Sequence, residues 1–263
     1  MIVRAIAAAA VMAVLGTGLL AGCSASEPSL TVFGAASIRD ALGAVKSAYA
    51  AAVPGAELSI STDSSAALET QIEQGAPADV FLSADTAQPQ KLVDAGFASG
   101  EAVVFARNGL AVIVPAANPG RIDSPADLAR PGLKIVAAGD EVPISRYAAQ
   151  LVANLAREPR YPVGFAAAYQ ANVVSKEDNV SAVVAKVALG EGDAGIVYLT
   201  DAAASETVRT IDLPADANVP ASYAGVVVAS SSRTDAAAAF LAWLAGPGGQ
   251  AILGGFGFLP AGS

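Results

Sequence analysis

The stretch LTVFGAASIRDALGAVKSAY, residues 30–49, carries the pattern that decides the fold. Its first residues, Leu30 to Phe33, form a short run of strand-forming side chains. Apolar residues then recur at i, i+4, i+7 and i+11 from Ile38 to Tyr49, which predicts a helix with one apolar face. A strand followed directly by a helix is the repeating unit of an α/β fold.

The same unit returns along the rest of the chain. Further strands are predicted at residues 57–61, 79–82, 134–138, 172–174, 195–199 and 224–229. Further helices are predicted at residues 66–74, 86–95, 145–156, 180–189, 236–244 and 248–253. Extended stretches at 102–115 and 201–220 separate two α/β sets. We therefore expect lobe I from residues 30–108 and 222–263, lobe II from 109–221, and a cleft between them.

Composition excludes several classes of function. The chain has 263 residues and a mass of 26.0 kDa, enough for one or two compact lobes. It has no histidine, which excludes Ser-His-Asp and Cys-His triads and histidine-ligated metals. Cys23 is the single cysteine, so an intramolecular disulfide is excluded as well. With 15 Lys and Arg against 24 Asp and Glu, the net charge of -9 makes nucleic acid a poor partner.

The N-terminus has the pattern of an export signal. Arg4 is followed by an apolar run, which ends in LAGC at residues 20–23. This ending resembles the lipobox of bacterial lipoproteins, whose cysteine takes a lipid. A transmembrane anchor is the alternative, since residues 5–22 could just span a bilayer. The position of the single cysteine favours removal of residues 1–22, lipidation of Cys23, and residues 23–29 as a tether on the outer face of the cell membrane.

Short polar side chains stand where predicted strands pass into helices. These junctions are Ser37, residues 63–65 (Asp-Ser-Ser), residues 143–145 (Pro-Ile-Ser) and residues 178–180 (Asp-Asn-Val). Ligands bind at this edge in open α/β sheets. Taken singly, each junction is explained as a helix cap. If the four helix starts converge on one cavity, their amides and dipoles would bind an anion.

An enzymatic function finds little support in the sequence. No lysine stands three residues after a serine, so the usual serine–lysine signature is missing. The acidic pairs at residues 140–141 and 177–178 could hold a divalent cation, but adjacent carboxylates at turns are more often solvated. The glycine-rich stretch at residues 246–249 does not fit a phosphate-binding loop. We expect no catalytic residues, no cofactor and no bound metal cation.

Five blocks of the sequence resemble the molybdate-binding protein of bacterial molybdate ABC transporters, the ModA family. They are TVFGAAS (31–37), QIEQGAPADVFLSA (71–84), GDEVP (139–143), EDNV (177–180) and GIVY (195–198). The similarity runs in the same order over nearly all of the chain from Leu30 onward. It implies an α/β, two-lobed periplasmic-binding-protein-like fold of type II. Such a fold has mostly parallel sheets, a hinge of two crossing strands and a central cleft.

The resemblance also implies the site. Hydroxyl groups of Ser37, Ser65 and Tyr198 and backbone amides of Ile144 and Val180 would hold the oxygens of molybdate, or of tungstate. A monomer would deliver the oxyanion to a membrane permease with a partner ATPase.

Three positions depart from the family pattern or complicate the assignment. Ile144 is bulkier than the small residue expected there. Asp63 leaves open whether Ser64 or Ser65 is the ligand, and Arg146 brings a cation near the opposite wall. A binding protein for sulfate, phosphate or an organic anion is the alternative function, and an enzyme on the same scaffold is a weaker one.

Overall fold

The computed structural model describes residues 29–262. The predicted signal segment 1–22, the lipidation site Cys23 and most of the tether lie outside the described residues. The strands are β1 (Leu30–Ala35), β2 (Leu58–Asp63), β3 (Val80–Ser83), β4 (Val103–Asn108), β5 (Leu110–Pro115), β6 (Ile135–Ala138), β7 (Val173–Glu177), β8 (Ala194–Tyr198), β9 (Val208–Ile211) and β10 (Ala221–Val227).

Helices follow most of the strands. They are α1 (Arg39–Ala52), α2 (Ser65–Glu73), α3 (Ala87–Asp94), α4 (Pro143–Arg157), α5 (Phe165–Ala171), α6 (Val180–Ala188), α7 (Leu199–Ala203), α8 (Thr234–Ala245) and α9 (Pro247–Gly255). Short 3₁₀ helices lie at Ala36–Ile38 and Pro125–Ala129. Within residues 29–262 no single helix is long and apolar enough to cross a membrane; α8 and α9 pass that test by length and composition only as a pair bent by 56°.

The strands form two sheets of five. Their orders are β2-β1-β3-β10-β4 and β7-β6-β8-β5-β9. In the first sheet β10 is antiparallel to both of its neighbours, β3 and β4. In the second sheet β5 is antiparallel to both of its neighbours, β8 and β9. The other pairings are parallel, so four of the five strands in each sheet run the same way. The mostly parallel, two-lobed α/β architecture predicted from the sequence is therefore present.

The chain passes between the sheets twice. It leaves the first sheet at the end of β4 and enters the second at β5 after a single residue, Gly109. A Cβ at this position would lie 2.6 Å from Cδ1 of Leu199, a side chain that is exposed and would have to move. The chain returns through residues 212–220, where the Asn218 side chain accepts a hydrogen bond from the Leu110 amide and donates one to its carbonyl, both at 3.0 Å. The two crossings are thus fastened to each other.

The elements that sequence reasoning missed are short. Helix α5 spans only seven residues, and β9 has only two buried residues, Val208 and Ile211. Helix α5 covers only about two turns, and the two exposed residues in the middle of β9 break the alternation expected of a strand. Because β9 and most of α7 lie inside the stretch 201–220, the second crossing is shorter than predicted.

The apolar face predicted for the first helix is buried. Leu42, Val45 and Tyr49 of α1 are each at most 4% exposed. The Tyr49 ring packs 5.0 Å from Phe240 and 5.1 Å from Trp243, both in α8. The two ends of the described chain are therefore joined in one core.

A buried carboxylate makes a second connection between these ends. Asp79 is 3% exposed and accepts hydrogen bonds from the Thr31 amide and the Arg233 guanidinium, each at 2.7 Å. The Ser231 hydroxyl donates to its other oxygen. Burial by itself would raise the pKa of Asp79, but the bonds from Arg233, Ser231 and Thr31 outweigh it and lower the pKa from 3.8.

We expect Asp79→Asn to lower the free energy of unfolding at pH 7 by about 2–3 kcal/mol, because the buried Arg233 contact loses its charge partner. A folded-state pKa below the unfolded value gives stability that is present above pH 3.8 and is lost as the pH falls through the lowered pKa. Denaturant titrations should therefore show the difference from wild type shrinking at low pH. Asp94→Asn, at the exposed end of α3, is the matched control, and equal effects of both variants would contradict the assignment.

Candidate oxyanion-binding site

A small cavity lies between the lobes, at the carboxyl ends of several strands. Its lining includes all five residues predicted from the sequence: Ser37, Ser65, Ile144, Val180 and Tyr198. Lobe I contributes the two serines, and lobe II contributes the other three. The structure therefore brings together side chains and amides that are far apart in the sequence.

Helix starts surround this cavity. Helices α2, α4 and α6 begin at Ser65, Pro143 and Val180, and the 3₁₀ turn Ala36–Ile38 leads into α1. The first amides of a helix have no acceptor within it and carry the positive end of the dipole. The four junctions singled out in the sequence therefore line one cavity.

A second residue of lobe I, Tyr223, fixes the position of the Ser37 hydroxyl. Tyr223 in β10 donates its phenol proton to Ser37 Oγ at 3.0 Å. Burial, with some contribution from Asp201, raises the pKa of Tyr223 well above 10, so this phenol stays protonated at neutral pH. Because Ser37 Oγ already accepts, its own proton is available to a ligand.

Ser64 and Ser65 have different partners. Ser64 is the N-cap of α2, and its Oγ accepts from the Ala67 amide at 3.2 Å. Ser65 Oγ accepts from the Ala84 amide at 3.0 Å. Both serines line the cavity, and each keeps a hydroxyl proton to donate.

Tyr198 reaches across the cleft from the end of β8. Its side chain is buried, and its phenol donates to the Ala84 carbonyl at 3.3 Å. Burial raises the pKa of Tyr198 well above 10, so it remains a donor at neutral pH. To donate to a ligand, the Tyr198 hydroxyl would have to give up its hydrogen bond to the Ala84 carbonyl.

The two amide donors lie at the first turns of their helices. Ile144 is the second residue of α4 and Val180 the first of α6. Their side chains are 1% and 4% exposed and pack into the hydrophobic core. The bulk of Ile144 is therefore accommodated in the core while its amide remains at the helix start.

Two caps expected from the sequence differ in the structure. Ser37 lies inside the 3₁₀ turn that precedes α1, and its hydroxyl bonds to Tyr223 instead of to helix amides. Helix α4 begins at Pro143, and Ser145 Oγ contacts the carbonyl oxygens of Ala138 at 2.9 Å and Gly139 at 2.6 Å. In both cases the hydroxyl bonds to a carbonyl or hydroxyl outside its helix instead of to the helix amides.

Asn179 fulfils the cap predicted at its junction. Its Oδ1 accepts from the Ala182 amide at 3.0 Å, and its Nδ2 lies 3.5 Å from Asp63 Oδ1 in the other lobe. Tyr223 and Ala84, which position the predicted donors, were missed. Tyr223 belongs to none of the five blocks, and Ala84 closes the second block but has no functional group in its side chain, so neither stood out in the sequence.

The cavity has an uncharged lining. Its twelve residues are alanine, serine, valine, proline, isoleucine, asparagine and tyrosine. Among residues 29–262 no group of three or more acidic, cysteine or histidine side chains is placed to hold a metal ion. Hydroxyls and helix amides are therefore the groups available to a ligand.

A wider groove next to this cavity suits an anion less well. Its charged lining residues are Asp40 and Asp201, one from each lobe, and Arg39, so the carboxyl groups outnumber the cation. Burial raises the pKa of Asp201 to about 8, and the Asp40 carboxylate adds to the rise. Two carboxyl groups facing one space would repel a dianion whenever they are ionised.

A two-lobed α/β chain with a cavity between its lobes has the architecture of a type II periplasmic binding protein. A family model described as bacterial extracellular solute-binding protein matches residues 30–259. The molybdate-binding protein ModA of Mycobacterium tuberculosis H37Rv is 35% identical over 94% of this chain and 95% of that protein. The chain therefore belongs to the bacterial extracellular solute-binding proteins, and to the ModA family within them.

Solved structures agree with this assignment. The periplasmic molybdate-binding protein of Azotobacter vinelandii superposes with a TM-score of 0.73 at 28% identity, over 88% of this chain and 98% of that one. The sulfate-binding protein SubI of M. tuberculosis has a TM-score of 0.78 at 22% identity, over 88% and 86% of the two chains. At that identity SubI shows the shared fold alone.

The buried tyrosines give a test of the site's protonation state. Burial raises the pKa of all six tyrosines, including Tyr198 and Tyr223. A raised phenol pKa gives stability that is present below pH 10 and is lost as the pH rises through the folded-state value. Absorbance at 295 nm should therefore show ionisation delayed beyond pH 10 and coincident with loss of circular dichroism. The chain in guanidinium is the control, and a folded protein that ionises fully near pH 10 would contradict the burial.

Proposed function

We propose that this protein captures molybdate between its lobes and delivers it to an ABC permease. The observation that carries the proposal is the uncharged cavity where hydroxyls and helix starts from both lobes meet. We assign the oxyanion to Ser37, Ser65 and Tyr198 through their hydroxyls and to Ile144 and Val180 through their amides. Ser64 is the alternative to Ser65.

The chemistry of molybdate fits a site built of donors. The dianion carries no proton at neutral pH, so it requires no acceptor from the protein. Removing such an ion from water is very costly unless its oxygens find partners. Hydrogen bonds to a charged group contribute about 1.5–3 kcal/mol each. Helix N-termini add about 0.3–1 kcal/mol apiece, so several of each offset the cost without a counter-cation.

Selectivity among oxyanions would follow from the size of the anion and from whether it carries a proton. Protonated phosphate needs an acceptor for its proton, and the five groups assigned to the anion are all donors, which leave that proton unpaired. Sulfate is smaller than molybdate and would leave some donors unsatisfied. Tungstate has nearly the same size and charge as molybdate, so we expect it to bind as well.

Delivery would depend on closure of the lobes. We take residues 30–108 with 222–263 as one rigid unit and 109–221 as the other, with the two crossings as the hinge. A ligand bonded by both units favours the closed form, which the permease would recognise. The partner ATPase supplies the energy. We further propose that the protein acts as a monomer, held outside the cell membrane by a lipid on Cys23.

The identity of the ligand can be tested by measuring the melting temperature of the protein with each of four oxyanions. Molybdate and tungstate should raise the melting temperature, because a ligand that binds only the folded state stabilises it by mass action. Sulfate and phosphate at equal concentration should raise it far less, and calorimetric competition should rank the four anions. A larger shift with sulfate than with molybdate would replace molybdate by sulfate as the ligand.

Single substitutions test the site. Ser37→Ala and Tyr198→Phe should each weaken molybdate binding by about 1–3 kcal/mol, because each removes one donor. The exposed Ser47→Ala in α1 is the matched control and should bind as wild type. Ser64→Ala and Ser65→Ala, compared side by side, decide between the neighbouring serines. Calorimetry measures the affinities, and unchanged binding in both Ser37→Ala and Tyr198→Phe would remove the site assignment.

A further inference from the structure

A series of buried hydrogen bonds leads from the hinge to the cavity. Asn108 ends β4 beside Gly109, the residue at which the chain crosses to the second sheet. Its Nδ2 lies 2.8 Å from Thr200 Oγ1 and 3.5 Å from the Tyr223 hydroxyl, which in turn lies 3.0 Å from Ser37 Oγ. Asn108 and Tyr223 are at most 1% exposed, so bulk water does not compete for these contacts.

The Asn108 side chain fixes the direction of these bonds. The Gly109 amide can only donate, so its partner at 3.0 Å is the carbonyl oxygen Oδ1 of Asn108. The other branch of this side chain is the NH₂ group, which has two protons and does not accept. One proton is donated to Thr200 and the other to Tyr223. The side chain is thus held in one orientation, with a donor facing Tyr223.

Because of this orientation, Tyr223 must donate to Ser37. Its hydroxyl keeps its one proton at neutral pH, since burial raises the pKa of Tyr223 well above 10. The NH₂ group of Asn108 cannot accept that proton, and Ser37 Oγ is the remaining hydrogen-bond partner of this hydroxyl among residues 29–262. Reversing the bond would leave a buried proton without an acceptor, which is unfavourable.

This hydrogen-bond relay, from Asn108 through Tyr223, makes Ser37 a donor toward the cavity. Ser37 Oγ accepts from Tyr223, and within the part of the chain that the structure describes its own proton has no acceptor. Ser37 lines the cavity, so an oxygen of a bound anion would be that acceptor. A protonated anion would present a donor to a hydroxyl already oriented to donate, and one of the two protons would stay unpaired.

We propose that Asn108 and Tyr223 are positioning residues that set selectivity: they orient the Ser37 hydroxyl as a donor and so discriminate against oxyanions that carry a proton. Neither residue lines the cavity, so both act through Ser37. The proposal rests on the proposed function for the place of the anion at Ser37, but not for which oxyanion is bound. Monohydrogen phosphate belongs to the disfavoured class, and unprotonated dianions such as molybdate and sulfate belong to the favoured one.

Replacing Asn108 by aspartate would reverse the relay at almost constant side-chain shape. The second carboxylate oxygen would accept from the Thr200 and Tyr223 hydroxyls where the amide now donates. Together with the Gly109 amide, these donors favour the ionised carboxylate. Tyr223 could then accept from Ser37, whose lone pairs would face the cavity. The Asn108→Asp variant would thus convert Ser37 from a donor into an acceptor.

The test compares sulfate with monohydrogen phosphate, two dianions of equal charge, at a pH above the second ionisation of phosphate. Competition calorimetry measures both affinities, and that of molybdate, in wild type, Tyr223→Phe, Asn108→Asp and the double variant. The added charge of Asn108→Asp repels both dianions alike, so the ratio of their affinities reports the direction of the Ser37 hydroxyl. Tyr49→Phe is the matched control, because it removes a buried phenol hydroxyl from the core of lobe I away from the cavity.

Asn108→Asp should weaken sulfate and molybdate binding by about 10- to 100-fold, because one donor to a charged ligand is lost. Phosphate binding should weaken much less, so the preference for sulfate over phosphate should fall by at least about 10-fold. Tyr223→Phe should lower the preference in part, since the Ser37 hydroxyl can then rotate, and Tyr49→Phe should leave it unchanged. The double variant should match Tyr223→Phe, because the relay is already interrupted.

An unchanged preference in either Tyr223→Phe or Asn108→Asp would overturn the proposal. So would a further fall that Asn108→Asp produces in the Tyr223→Phe background, because the carboxylate would then act on the anion directly. If Asn108→Asp does not fold, Tyr223→Phe still decides the outcome, since it removes a single oxygen atom.

Neutron diffraction separates this proposal from the proposed function. In the ligand-free wild-type protein the hydroxyl deuterium of Tyr223 should point at Ser37 Oγ, and in Asn108→Asp it should point at the new carboxylate. If the wild-type protein fails to bind molybdate, the proposed function fails, but these deuterium positions still report the relay. A wild-type Tyr223 deuterium directed away from Ser37 would refute it.

Discussion

The structure depends on the backbone amides at the starts of its helices, which have no acceptor inside their own helices. In the two sheets these starts lie at the carboxyl ends of strands, and the double crossing of the chain turns the two sets toward each other. The cavity between them is rich in donors and has no charged lining residue. Under the proposed function, an anion would bond to hydroxyls of both lobes and to helix amides of lobe II at once, so binding and closure would be the same event.

The contacts between the lobes are of different kinds. The Tyr198 phenol bonds to the Ala84 carbonyl at the cavity, and Arg146 meets Asp85 behind it. Lobe I, in contrast, is held internally by contacts that closure does not involve, such as Asp79 with Arg233. Near the hinge the lobes are also joined by a short bond, from Asn108 Nδ2 to Thr200 Oγ1 at 2.8 Å.

The sequence predicted the alternation of strands and helices because burial on one face makes apolar residues recur in it. They recur every two residues in a strand and every 3.6 in a helix. It failed for α5, which spans seven residues, and for β9, whose two central residues are both exposed and break the alternation. It also assigned Ser37 to a helix cap, whereas the hydroxyl bonds to Tyr223, 186 residues away in the chain. The preference of serine for helix N-caps pointed to the amides of the following helix, whereas the fold supplied Tyr223 as the partner.

The sequence by itself determined the kinds of group available. Without histidine, and with short polar side chains at each strand-to-helix junction, the chain was limited to hydroxyls, amides, carboxylates and backbone for its chemistry. Only the tertiary structure decided that four junctions share one cavity, that Ala84 links Ser65 to Tyr198, and that Asp85 faces Arg146. Periodicity records which face of an element is buried. It carries no information about which distant element covers that face.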